Sequence, residues 1–157
     1  MVKQAIEKLV PKPSVGIAPP GGRTLVNEQT VLWADTPADR NLGTVTLLRI
    51  FRVGLRVHVD HVDWDFGDGH TDVTATPGAP YEKGEHCKEV TCPGHYGHIY
   101  ATTGDMTVGA QVSWTGQYAV NGGAWQDIDG TVTGPQQTAQ VGVIEARGVL
   151  VPDPQSS

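Results

Sequence analysis

From Met106 to Trp114 the chain alternates: Met106, Val108, Ala110, Val112 and Trp114 are apolar, and Thr107, Gly109, Gln111 and Ser113 between them are polar or small. A period of two places each set on one face of a β-strand. The same alternation sets Leu55, Val57 and Val59 against Arg56, His58 and Asp60. It continues with Val62, Trp64 and Phe66 against Asp63 and Asp65, but in the opposite parity. That phase change predicts a bulge or tight bend at Asp60-His61, because one extra residue turns the buried face over. Leu25 to Ala34, between Gly21-Gly22 and Asp35-Thr36-Pro37, reads as a first strand. Thr44 to Val53 reads as a second, with Gly54 as a break, and Gln136 to Val151 as the last. Asn121-Gly122-Gly123, flanked by Val120 and Trp125, is a hairpin-turn sequence.

Between Gly67 and Tyr96 the periodicity lapses, and Pro77, Pro80, Pro93, Cys87 and Cys92 all fall in this stretch. A loop longer than about 12–15 residues is usually functional, disordered or stapled. Residues 1–22 read as an attached Pro-rich tail. Val2 to Leu9 suits a turn or two of helix, stopped by Pro11 and Pro13, and the following PKPSVGIAPPGG suits a stiff extended spacer. Residues 152–157 form a polar tail. The domain predicted over 23–151 is all-β, an antiparallel sandwich of about seven or eight strands.

Composition agrees with short strands joined by turns, since twenty Gly and eleven Pro are spread among Val and Thr. The net charge of −6 and the absence of a basic stripe exclude an ordinary nucleic-acid binder. Arg49, Arg52 and Arg56 are interleaved with apolar residues, as on the solvated face of a strand. No apolar run approaches the ~20 residues that span a bilayer, so a membrane would be met only through a tether outside this chain. The start MVKQAIEKLVPKPSVG carries no apolar leader segment and no cleavage site. Taken literally that start is cytosolic, whereas a Met1 standing in for a removed leader suits export.

The segment Val62-Asp63-Trp64-Asp65-Phe66-Gly67-Asp68-Gly69 resembles the signature strand and turn of PKD (polycystic kidney disease) domains. Downstream, His98-Ile99-Tyr100-Ala101-Thr102-Thr103-Gly104-Asp105-Met106-Thr107-Val108 is similar to that family's second signature: an aromatic strand, a turn with Gly, then an alternating strand. Together the two motifs cover roughly residues 55–115. The wider chain is similar to exported actinobacterial proteins with a PKD-like core, in its Pro11–Pro20 lead-in, Val26-Asn27 with Thr30 and Trp33, cysteine-bearing insert and Val141–Leu150 finish. The resemblance implies an immunoglobulin-like sandwich, secreted or at the cell surface, that works as a spacer or binding module rather than an enzyme. It makes Trp64, Asp65, Phe66, Gly67, Asp68, Gly69, His98, Tyr100 and Gly104 a structural motif. The residues alone say much the same. Trp64 and Phe66 point into a core, Asp65 and Asp68 accept backbone N–H groups within the turn, and Tyr100 packs inward while its hydroxyl ties down a loop.

Four constellations are candidates for chemistry. Asp63, Asp65 and Asp68 are hard oxygen donors that suit Ca2+, but they lack the EF-hand spacing, so a structural turn and no cofactor is the expectation. Cys87 and Cys92 close a short loop worth about 2 kcal/mol if they form a disulfide, which implies an oxidising compartment. With His95 and His98, and with His86 adjacent, the same cysteines offer four ligands for zinc, and both readings remain open. Six histidines raise the question of acid–base catalysis, yet Ser14 and Ser113 lie in no nucleophile-elbow sequence, so no catalytic residue is assigned. Tyr118 and Trp125, flanking the Asn-Gly-Gly turn, form the candidate ligand face, while Trp33 and Trp114 fall in phase with core positions. The function expected is a non-catalytic extracellular or cell-surface module mediating protein interaction. Its partner would be a protein or an extracellular-matrix component, with a glycan as a further candidate. The rival readings are a carbohydrate- or calcium-dependent adhesion module, and a virion or filament decoration domain.

Overall fold

A computed structural model describes residues 1–81 and 94–145. In chain order these carry α1 (Val2–Leu9), β1 (Val15–Ala18), β2 (Arg23–Leu25), β3 (Gln29–Ala34), β4 (Asp39–Leu47) and β5 (Phe51–Asp65). There follow β6 (Thr71–Thr74), β7 (Gly97–Ile99), β8 (Gly104–Val120), β9 (Gln126–Asp127), β10 (Val132–Thr133) and β11 (Gln137–Ile144). Apart from α1, the regular structure of the described residues is all β. The strands form a three-stranded sheet, β1-β3-β7, and a larger sheet ordered β2-β11-β8-β5-β4, with β6 on β5 and β9 and β10 on β8.

The two long strands, β5 and β8, pair antiparallel from Val53↔Val120 to Asp65↔Gly109 and form the spine. Their register shifts between Val59 and His61, where the parity of apolar residues changes. Val53, Leu55, Val57 and Val59 before the shift, and Val62, Trp64 and Phe66 after it, are therefore all buried on one face. Opposite them on β8 lie Val108, Ala110, Val112 and Trp114, and the smaller sheet closes the core with Leu32 and Ala34.

Several sequence expectations change. Eleven strands occur among the described residues instead of seven or eight, because two expected strands are broken by turns and short strands such as β6 bury nothing that would mark them. Leu25 to Ala34 divides at Asn27, whose φ of 65° turns the chain from the larger sheet to the smaller. Thr44 to Val53 is a hairpin, with Leu48 and Arg49 both at positive φ, and Gly54 lies inside β5 rather than ending it. The pairing is not wholly antiparallel, since β2 runs parallel to β11.

Residues 1–22 are part of the folded unit and not an appended spacer. Ile6 of α1 is fully buried and Val10 nearly so, and β1 pairs with β3 from Val15↔Ala34 to Ala18↔Val31. Gly116 makes room for the helix: a Cβ there would stand 2.8 Å from Ile6 Cδ1 and 3.0 Å from Ile128 Cδ1. The continuation of the last strand to Val151, and the tail 152–157, lie outside the described residues.

Candidate functional site

The Trp-Asp-Phe-Gly-Asp-Gly segment ends β5 and makes the turn into β6. Trp64 is buried and its Nε1 donates to Thr74 Oγ1 at 3.1 Å. Within the turn, Asp65 Oδ1 accepts from the Gly67 N–H at 2.9 Å and Asp68 Oδ1 from the His70 N–H at 3.0 Å. Gly67 has φ +82°, and a Cβ there would come within 2.6 Å of the Thr107 carbonyl oxygen, so only glycine fits without displacing β8. Gly69 (φ +91°) is open to solvent, and Gly104 (φ +137°) starts β8.

Two aromatic residues downstream lock this turn. Tyr100 is fully buried and its hydroxyl donates to the Phe66 carbonyl at 2.7 Å. The His98 ring stacks on Phe66, with centroids 3.9 Å apart and planes 3° apart, and meets Tyr100 edge-on at 4.7 Å. Its Nε2 lies 2.7 Å from Asp68 Oδ2. Burial on its own would raise the Asp68 carboxyl, but hydrogen bonds from His98 and the His70 backbone, with the His98 charge, hold it below the ordinary carboxylate range. Burial pushes the Tyr100 hydroxyl up, and the nearby Asp68 and Asp65 carboxylates push it further the same way.

The three aspartates read as calcium ligands are directed to different partners. Asp63 and Asp65 project from the outer face of β5, Asp63 reaching His61 Nε2 at 3.3 Å, whereas Asp68 is held inside the turn. His95 and His98 are likewise apart: His95 lies by Tyr81 and the Ala79 carbonyl, and His98 lies on Phe66. His86, Cys87 and Cys92 fall outside the described residues, and with them the disulfide and zinc readings of the two cysteines. Among the described residues the donor atoms that gather within 4.8 Å of one another belong to Asp68, His70 and His98. His70 is one of the six histidines weighed for acid–base catalysis but entered no metal-ligand set proposed from sequence, since its proximity to His98 depends on where β7 is placed.

Tyr118 and Trp125 do not share a face. Tyr118 packs toward the core, its hydroxyl donating to Gln126 Oε1 at 3.1 Å. Trp125 lies on the other side of the sheet, over Gly54 and Ala119, the pair opposed across β5 and β8. Adjacent strand residues point to opposite faces, so Ala119 and Tyr118 necessarily diverge.

What the outer face assembles instead is an Arg–Trp stack. The Arg56 guanidinium carbon is 4.0 Å from the centre of the Trp125 ring, and Trp125 remains 38% exposed. Arg56 Nε donates to Gln117 Oε1 at 2.7 Å, and Gln117 Nε2 donates to Asp127 Oδ1 at 2.6 Å. On one side lies a depression of about 660 Å³ walled by Asn41, Thr44, Arg52, Asn121 and Trp125. On the other lies one of about 850 Å³ walled by Asp39, Arg56, His58, Thr115 and Asp127. No protein-family model, curated protein or solved structure matches this chain.

Proposed function

We propose that this chain is a non-catalytic binding module of the immunoglobulin-like, PKD-related kind, secreted or displayed at the cell surface, which takes a protein partner on the outer face of its larger sheet. The Arg56–Trp125 stack carries this reading. Arginine and tryptophan are the residues most enriched among those that dominate binding energy, and here they stand together on an exposed sheet face. Asp127, Gln117 and Arg56 fix one another, so the polar groups around the ring are already oriented for a partner. The motif acids support the non-catalytic part, because Asp65 and Asp68 spend their carboxylates on turn N–H groups and on His98. A glycan is the second reading, favoured by the same ring beside amide and carboxylate groups.

Arrays of immobilised glycans and extracellular-matrix proteins, probed with the wild-type chain and with Trp125→Ala, test the reading and separate its two versions. At least one retained ligand should lose about tenfold or more in affinity in the variant. The melting temperature should fall little, since an exposed cation–π contact contributes only about 0.5–1 kcal/mol. Ligands held equally by both proteins, or none held by either, would remove this face as the recognition surface.

A further inference from the structure

The geometry points to a site for a borderline divalent metal ion, of the Zn2+, Co2+ or Ni2+ kind, formed by Asp68, His70 and His98. Two imidazoles and one carboxylate converge there from two parts of the chain: the turn after β5 supplies Asp68 and His70, and β7 supplies His98. Asp68 Oδ2 is 2.7 Å from His98 Nε2, and Asp68 Oδ1 is 3.3 Å from His70 Nδ1.

Metal–ligand bonds of about 2.0–2.2 Å set neighbouring donors about 3.0–3.5 Å apart. Asp68 and His98 therefore need to part by only a few tenths of an ångström, roughly, as the ion replaces the proton they share. The donors are already oriented. Phe66 and Tyr100 hold the His98 ring on two sides, and the His70 N–H holds the Asp68 carboxylate. Side-chain exposure grades from 10% at Asp68 and 16% at His98 to 74% at His70. An ion would thus be gripped from inside and meet water on the His70 side, where solvent completes its coordination.

The donor types choose the metal. Imidazole nitrogen with a single carboxylate suits zinc and its neighbours, whereas Ca2+ needs six to eight oxygens and Mg2+ an oxygen octahedron. Binding would pin the turn to β7 and add to stability by mass action.

His70→Ala is the informative variant. The exposed side chain contributes little to the core, and it belongs to no ligand set that includes Cys87 and Cys92, so those remain intact. The full-length protein, freed of metal, is titrated with ZnCl2 by calorimetry and with CoCl2 by visible absorption, each beside His70→Ala. One equivalent should bind to the wild type and raise its melting temperature, while CaCl2 and MgCl2 leave it unmoved. His70→Ala should melt like the metal-free wild type and bind zinc about tenfold or more weakly. Absence of zinc binding, equal binding by His70→Ala, or an equal shift with calcium would overturn the assignment.

Discussion

At the scale of single residues, the Gly67–Gly69 turn is held by directed contacts rather than by apolar bulk. Asp68 accepts from the His70 N–H and from His98, so its folded-state value lies below the ordinary carboxylate value near about 3.9. A depressed folded value means the contribution is complete above about pH 4 and is lost as pH falls through the folded value. Asp68→Asn should therefore destabilise the chain by about 1.5–3 kcal/mol at pH 7, the usual range for hydrogen bonds to a charged group. Denaturant unfolding of both proteins from pH 7 to pH 3 checks this: the gap should narrow below about pH 4. A gap constant across that range would mean that the carboxylate charge plays no part. The roles of these acids as turn acceptors were legible, because Asp-x-Gly sequences bond locally and glycine permits the positive φ. The partnership of Asp68 with His98 was not, because it crosses the stretch between β6 and β7, where no periodic pattern fixes the path.

At the scale of elements, the strands with a buried face were the ones that could be read. β5 and β8 carry apolar residues at every second position, and even the register shift after Val59 left its mark as a change of parity. β6 was not legible because pairing rather than burial defines it, and β10 because two residues show no period even though Val132 is buried, whereas β9 is the return arm of the hairpin that Asn121-Gly122-Gly123 predicts. The leading segment was misjudged for a related reason. Prolines stop α1, but a two-turn helix needs only one anchoring residue, and Ile6 fills the gap above Gly116. Ile6→Ala should cost about 2–4 kcal/mol in thermal or denaturant unfolding, as for other deeply buried aliphatic residues. An unchanged midpoint would mean that α1 is detached in solution and residues 1–22 are a tail after all.

At the scale of the whole molecule, the two faces of the larger sheet have different duties. The inner face carries the tryptophans, valines and leucines that close against the smaller sheet, while the outer face carries Arg56, Trp125, Gln117 and Asp127. Both tyrosine and tryptophan beside the Asn121-Gly122 turn looked available from sequence. Only the strand pairing shows that Tyr118 belongs to the inner face and Trp125 to the outer one. Recognition on that outer face is the central claim. Its most direct test is amide hydrogen exchange of the chain, free and saturated with a ligand retained in the binding screen. Added protection should concentrate in residues 39–44, 52–58 and 117–127. Protection confined to β1, β3 and β7, with those three stretches exchanging as in the free chain, would contradict it.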